Sequence, residues 1–161
     1  MTRITAVANH HSAWKKQTQF KAINDLHKSK FGMKSTLGYY GGYNLLIEKN
    51  GDIRQYRALG EELAAHYSHN TTKLAICCAG DFRTEEMTTK QKASLVWLYE
   101  QILSFKTIPM DIRHGDLSSN NTTCPALPKA YYSEIYRQAR ISSLKKMIIY
   151  LKQLILAFKN K

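Results

Sequence analysis

The sequence predicts a mixed α/β (α+β) domain with one central sheet flanked by helices. Three observations lead to this fold class. Short apolar runs that resemble buried strands alternate with segments of helical periodicity. The 161 residues suffice for one domain with its own core, and 43% of them are hydrophobic. No apolar run reaches the length of a membrane span, and no internal repeat is visible in the sequence.

Local signals predict the individual elements. Asn50-Gly51 between two apolar runs predicts a tight β-hairpin. A capping residue at Thr88 or Thr89 precedes a long helical periodicity, and Gly32 ends an earlier one. In chain order we predict a strand over 4–9, a helix from Thr18 to Gly32, hairpin strands over 43–48 and 53–57, a strand over 73–79, a helix from Thr88 or Thr89, a strand over 110–113, and a helix from near Lys129.

The chain is strongly basic, with 24 Lys and Arg against 12 Asp and Glu and a formal net charge of +12. This excess favours anionic partners, either nucleic acid or the anionic polymers and lipids of a bacterial envelope. Charge alone does not choose between them. The absence of zinc-finger spacing and of an RNA-binding motif from the sequence argues against nucleic acid.

The three cysteines, Cys77, Cys78 and Cys124, are an odd number, which argues against a disulfide framework. Cys77 and Cys78 lie in an apolar run that is predicted to be a strand. Neighbouring strand residues face opposite sides, and a free cysteine packs as a small hydrophobic residue. We therefore predict two buried thiols; a vicinal disulfide or a redox role is the alternative.

Two segments far apart in the chain offer ligands for one metal ion. His10-His11 follows the first predicted strand, and His114 follows the last one, with Cys124 further along the same loop. The ends of strands in one sheet can converge, so these segments supply two imidazoles and one thiolate. Three protein ligands with an open fourth position are typical of a hydrolytic Zn²⁺ site, where a bound water fills the open position. The sequence lacks the CxxC motif or second Cys pair of a closed structural site.

Five short motifs follow one another along the chain. They are Asn9-His10-His11-Ser12-Ala13, Gly42-Tyr43-Asn44-Leu45-Leu46-Ile47 followed by Asn50-Gly51-Asp52, Ala65-His66, Asn70-Thr71-Thr72-Lys73-Leu74-Ala75-Ile76, and His114-Gly115-Asp116-Leu117-Ser118 with Thr122-Thr123-Cys124-Pro125. In this order they resemble the type 2 N-acetylmuramoyl-L-alanine amidases, a family that includes small phage lysins, bacterial autolysins and animal peptidoglycan recognition proteins. The resemblance extends from about Ile4 to about Tyr132.

The resemblance implies a zinc-dependent hydrolase that cuts the amide between the lactyl group of N-acetylmuramic acid and L-alanine of the peptidoglycan stem peptide. The implied Zn²⁺ ligands are His10, His114 and Cys124. His11 then faces the opposite side of its strand, although a one-residue slip would exchange the two imidazoles. Tyr43 matches the family tyrosine that hydrogen-bonds near the metal-bound water or the oxyanion.

The resemblance also suggests residues that contact peptidoglycan. His66 aligns with a groove position that contacts the sugar or the stem peptide, and Asn70 is a second candidate. Tyr39 and Tyr40 are candidates to line the groove and stack on sugars.

Several positions depart from the family pattern. Arg113-His114-Gly115-Asp116 replaces the common Gly-His-Arg-Asp, and Asn44 stands where His often follows the tyrosine. The stretch before Cys124 is longer than usual, with Asn120-Asn121 as the insertion. Thr122 stands where many members have Lys or Thr, and it is a candidate oxyanion donor without positive charge. These departures leave the implied ligand set intact.

We predict two parts in the chain, an amidase domain over 1–135 and a basic amphipathic helix over 136–161. No acidic residue follows Glu134. Three interpretations of the helix stay open: it docks on the domain, pairs with another chain, or binds an anionic membrane or outer-envelope lipids through residues 141–161. Its apolar positions are spaced by four and three, at Leu144, Ile148, Leu151, Ile155 and Phe158, and lysines recur every seven residues at Lys145, Lys152 and Lys159.

Together these features predict a zinc-dependent peptidoglycan amidase, specifically a phage or prophage endolysin. The start of the chain lacks the apolar segment of a signal peptide, so we expect synthesis in the cytoplasm and action on the cell wall after release. The alternatives are a recognition protein that binds peptidoglycan without cutting it and a nucleic-acid-binding protein. Because binding alone needs no metal ligands, the retained ligand set and Tyr43 favour the enzyme.

Overall fold

The structure, a computed structural model, describes residues 4–117 and 121–159. Some predicted features lie outside the described residues. They are residues 1–3 of the predicted domain, Ser118 of the last motif, Asn120 of the insertion, the side chains of Phe158 and Lys159, and the last two residues of the predicted tail.

Within the described residues, five strands form one mixed sheet, which confirms the predicted fold class. The strands are β1 (Ala6–His11), β2 (Leu45–Ile47), β3 (Ile53–Gln55), β4 (Lys73–Cys78) and β5 (Ile112–Arg113). Their order in the sheet is β3-β2-β4-β1-β5. Strands β2, β4, β1 and β5 are parallel, whereas β3 pairs antiparallel with β2. The carboxyl ends of the four parallel strands therefore meet at one edge of the sheet, where ligands bind in open α/β sheets.

Three helices flank the sheet over the described ranges: α1 (Phe20–Phe31), α2 (Thr89–Phe105) and α3 (Lys129–Lys159). Both predicted helix ends are confirmed. Gly32 is left-handed, with φ 66°, and the Thr88 side chain accepts a hydrogen bond from the Gln91 backbone in a capping box. Because α3 is continuous across residue 135, the division at that residue stays a prediction.

Helix α1 begins at Phe20 rather than at the predicted Thr18, because a distant carboxylate replaces the local cap. Glu48, directly after β2, is buried and accepts hydrogen bonds from the backbone N–H groups of Gln19 and Phe20, at 2.9 and 2.8 Å. An acceptor of negative charge suits the first turn of a helix, where N–H groups lack partners inside the helix. This contact ties α1 to the sheet.

Strand β1 continues two residues further than predicted, because β4 supplies pairing partners for both histidines. His10 is in register with Cys77 and His11 with Cys78. The strand predicted over 53–57 ends early, at Gln55, because Arg57 turns inward. Its buried guanidinium donates to the carbonyl oxygens of Gly41, Met33 and Glu62.

The two faces of the sheet carry separate apolar cores. One face packs against α2 and α3 through a core that includes Val7, Cys78, Leu95 and Tyr132. The other packs against α1, with Ile23, Cys77 and Tyr56 among its buried residues. Cys77 and Cys78 are buried, free thiols on opposite faces, as predicted. No helix in the described ranges is long and apolar enough to cross a membrane.

Candidate metal centre

The two adjacent histidines at the end of β1 point to opposite faces of the sheet. His10 is 1% exposed, and its ring centroid lies 4.6 Å from those of His66 and His114. On the other face, Nδ1 of His11 accepts a hydrogen bond from the Phe82 backbone at 3.2 Å, and the two rings stack. The structure therefore places His10 with the other candidate ligands, and His11 in a packing and hydrogen-bonding position.

Asn9 fixes the neighbouring strand that delivers His114. Its side-chain amide donates to the carbonyl oxygens of Met110 and Ile112, at 2.8 and 3.0 Å, and its oxygen accepts from the Tyr99 hydroxyl. Because β5 has only two residues, these side-chain bonds add to a short ladder of backbone bonds. His114 opens a 3₁₀ turn (His114–Asp116) directly after β5, beside His10.

Gly115 brings the loop that carries Cys124 against this turn. The Gly115 N–H donates to the Cys124 carbonyl oxygen at 2.9 Å. A Cβ on Gly115 would lie 2.2 Å from the Thr122 carbonyl oxygen, so a larger residue requires the loop to move. The departure from Gly-His-Arg-Asp in this chain thus has a steric reason.

His10, His114 and Cys124 converge on one point. Their candidate ligand atoms all lie within 4.8 Å of one another, and Cys124 Sγ is 3.8 Å from His10 Nδ1. Ligand atoms around a tetrahedral zinc ion are separated by about 3.3–3.6 Å, so shifts of about an ångström suffice to bind it. Among the described residues this group has three members, which leaves the fourth position of a tetrahedron to solvent or substrate.

The electrostatics of the cluster also suit a cation. Burial, followed by His66 and His114, lowers the pKa of His10 well below its ordinary value, so the imidazole is neutral and able to bind a metal. Burial raises the pKa of Cys124 to about 11, which disfavours a thiolate unless a positive charge lies beside it. A divalent cation supplies that charge. The donor set therefore fits Zn²⁺, which prefers nitrogen and sulfur ligands.

Tyr43 lies over His10 at the edge of the cluster. The two ring centroids are 5.0 Å apart. Helix α1 anchors the loop before Tyr43, because Nδ1 of its His27 accepts a hydrogen bond from the Gly42 N–H at 2.7 Å. Burial, together with the Cys77 and Cys124 thiols, raises the pKa of Tyr43 well above its ordinary value, so the hydroxyl remains a hydrogen-bond donor.

The sequence model of the N-acetylmuramoyl-L-alanine amidases matches residues 1–127. The chain belongs to the N-acetylmuramoyl-L-alanine amidase family. No curated protein matches the sequence. Among solved structures, the amidase LysC from Clostridium intestinale URNW is 25% identical, with 86% of each chain covered and a TM-score of 0.69.

More distant structures share the fold. The Ph2119 endolysin from the Thermus scotoductus MAT2119 bacteriophage is 21% identical, with 84% of this chain and 86% of that chain covered and a TM-score of 0.67. Peptidoglycan recognition protein-LE, solved in complex with tracheal cytotoxin, is 19% identical, with 84% and 80% covered and a TM-score of 0.65. The predicted resemblance to amidases and peptidoglycan recognition proteins is thus confirmed.

In this amidase His66 lies behind His10. The two Nε2 atoms are 2.7 Å apart, a hydrogen-bond distance, and His66 is 1% exposed. Its backbone N–H donates to the Asn70 side chain at 2.8 Å. The substrate contacts of His66 and Asn70 stay predictions, and the structure adds a link from this loop to the first ligand.

The remaining candidates lie at varied positions around the amidase site. Thr122 is exposed, and its hydroxyl oxygen accepts from the Cys124 N–H at 3.1 Å, so it stabilises the ligand loop. The Tyr39 ring packs edge-on against the Phe20 ring, with the centroids 5.0 Å apart, and Lys28 Nζ lies 5.4 Å from the centroid of the Tyr40 ring. The oxyanion role of Thr122 and the sugar contacts of the two tyrosines stay predictions.

Sequence reasoning missed two contributors to this amidase site. It assigned His66 to the substrate groove and not to His10, because the fold alone brings the two rings together. From the sequence, Gly115 was recognised only as a departure from the family pattern. The unusual glycine was a signal, but the close approach of Thr122 that explains it is visible only in the structure.

Proposed function

We propose that the protein is a zinc-dependent amidase that hydrolyses the bond between the lactyl group of N-acetylmuramic acid and L-alanine of peptidoglycan. Membership of the amidase family supports hydrolysis of this bond. The observation that carries zinc dependence is the convergence of His10, His114 and Cys124 within 4.8 Å, with three members among the described residues. Three ligands and one open position are the pattern of catalytic rather than structural zinc.

The residues of the chain have separate roles in this proposal. His10, His114 and Cys124 would hold the ion, which when bound supplies a water of lowered pKa and polarises the scissile carbonyl. Tyr43 donates its hydroxyl proton in a hydrogen bond to the oxygen on which negative charge develops. Its position beside His10 supports this role, and the hydroxyl, which hydrogen-bonds the Cys77 side chain in the structure, stays protonated at neutral pH.

The endolysin assignment is part of the same proposal. The likeness to an amidase and to a phage endolysin over most of both chains supports it. The net charge of +12 favours attraction to the anionic envelope in which peptidoglycan lies. We propose that the protein acts on the cell wall.

Digestion of purified sacculi tests the function directly. We expect the zinc-loaded protein to separate stem peptides from the glycan strands and to expose new N-terminal alanine, because the cut frees the amine of the first stem residue. A chelator should stop the reaction, and added zinc should restore it. Binding to sacculi without new N-terminal alanine would instead support a recognition protein, the alternative that the likeness to peptidoglycan recognition protein-LE favours.

Replacing His66 by alanine is expected to lower zinc affinity about 10–100-fold, the usual cost of losing an outer partner of a metal-bound histidine. We propose that His66 accepts the proton of His10 Nε2, so that His10 Nδ1, which faces Cys124, is free to bind the ion. The measurement is a competition titration against a chromophoric chelator.

Two further variants define the outcome for His66. His66→Gln should retain most of the affinity, because its side-chain oxygen can accept the same hydrogen bond. Thr71→Ala, a control at an exposed position of the same loop, should leave zinc affinity unchanged. If His66→Ala binds zinc normally but raises KM for muropeptides, the residue belongs to the substrate groove and the positioning role is wrong.

A further inference from the structure

Helix α3 packs on the domain through one face of its first half. Tyr132, Ile135 and Ala139 on this face are fully buried in the core beneath α2. Further along, Lys146 forms an ion pair with Glu100 of α2. These four residues are spaced by three, four and seven, so they lie on the same side of the helix.

From about this contact onward the side chains of α3 are exposed to solvent. Every described side chain from residue 144 to residue 156 is exposed. We call Leu144, Ile148, Leu151 and Ile155 the outer stripe; each is 49–55% exposed. At about 100° per residue, the outer stripe points about 160° away from the buried face. The outer stripe therefore faces mainly away from the domain, and the contacts of α3 with the domain lie on the other side of the helix.

The charges around the outer stripe have one sign. No acidic residue follows Glu134 in the sequence. Lys145 and Lys152 are exposed and lie on one flank of the stripe, seven residues apart. Their long aliphatic stems can lie along an apolar surface while the ammonium groups reach anions at its border. A partner that is apolar within and anionic at its surface matches this arrangement.

We propose that the distal part of α3, residues 141–159, is an interfacial helix that lies on an anionic lipid bilayer. In that position the outer stripe enters the boundary of the acyl chains, and the lysines contact the headgroups. The helix then concentrates the protein at a membrane next to the wall. This inference does not depend on amidase activity.

A second copy of this chain fits less well. Ile141, Leu144, Ile148, Leu151 and Ile155 do follow a heptad seam, but fewer than three heptads are too short for a secure coiled coil. Pairing would also bring together two helical segments, residues 141–159 of each copy, whose charges are all positive.

Co-sedimentation of the full chain with vesicles tests the proposal. One set of vesicles contains equal parts of phosphatidylglycerol and phosphatidylcholine, and the other contains phosphatidylcholine alone. We expect binding to the anionic set, weakening as salt is added, and little binding to the neutral set. The zinc content of the protein should not affect the result.

Two double variants divide the contributions to binding. Ile148→Ser with Leu151→Ser removes apolar contact and should lower partitioning at least ~10-fold. Lys145→Glu with Lys152→Glu reverses the attraction and should also lower it at least ~10-fold. Matched controls outside α3, Leu59→Ser at a side chain that is 67% exposed and Lys34→Glu at another exposed one, should bind like the parent.

The outcomes are distinct. Thermal unfolding of each variant shows that the domain still folds, as expected for substitutions at exposed positions. Failure of the parent to bind anionic vesicles, or undiminished binding by both double variants, would overturn the proposal. A soluble dimer that the stripe variant abolishes, in a protein that does not bind vesicles, would identify a second copy as the occupant instead.

Discussion

Replacing Cys124 by alanine is expected to remove bound zinc and to lower the rate at which new N-terminal alanine forms in sacculi at least ~10³-fold. Losing only an outer partner of a metal ligand lowers metal affinity or activity about 10–100-fold, and losing the ligand itself lowers them further. The Cys124 thiol lies 3.8 Å from His10 Nδ1 and is the only sulfur in the described three-member group. Without it the ion has two imidazoles, which hold zinc weakly. Elemental analysis and sacculus digestion on the same preparation measure both losses.

Cys78→Ala is the matched control for this variant. Cys78 is also a buried thiol, and burial raises its pKa to about 12, but it lies in the core on the opposite face of β4 from Cys77. We expect full zinc content and near-parent activity, with some loss of stability from the shortened core side chain. Zinc retained by Cys124→Ala and lost by Cys78→Ala would contradict the assignment of the ligand.

Replacing His10 and His11 by alanine, one at a time, should separate zinc binding from stabilisation of the fold. His10→Ala is expected to abolish zinc binding and to reduce activity as strongly as Cys124→Ala, because His10 lies at the centre of the cluster, within 5.0 Å of Tyr43, His66 and His114 by ring centroids. His11→Ala is expected to keep one zinc ion per chain. Isothermal titration of the metal-free proteins with zinc measures the difference.

His11→Ala should instead lower stability. Its imidazole accepts the Phe82 N–H, and an unpaired buried N–H costs about 1–3 kcal/mol. Thermal unfolding in the presence of chelator measures this loss without the contribution of bound metal. Equal zinc loss in the two variants would indicate that the end of β1 rearranges when the ion binds. The opposite facing of neighbouring side chains on the strand would then not decide which histidine is the ligand.

Features that depend on residues close in the chain could be predicted from the sequence. The Asn50-Gly51 hairpin, the left-handed Gly32 and the Thr88 capping box are local, because each needs only the conformational preference of a few neighbouring residues. The start of α1 could not be predicted in this way. It depends on Glu48, which is 28 residues away and reaches Phe20 only through the folded sheet.

The sequence by itself determined the fold class, the family and the residue types that can bind zinc. These follow from periodicity, from short motifs and from the chemistry of side chains. Only the tertiary structure decided that His10 rather than His11 joins His114 and Cys124, that His66 lies at hydrogen-bond distance from His10, and that the outer stripe of α3 faces mainly away from the domain. The physical reason is that strand pairing and helix packing fix where each side chain points, and both depend on partners that are distant in the chain.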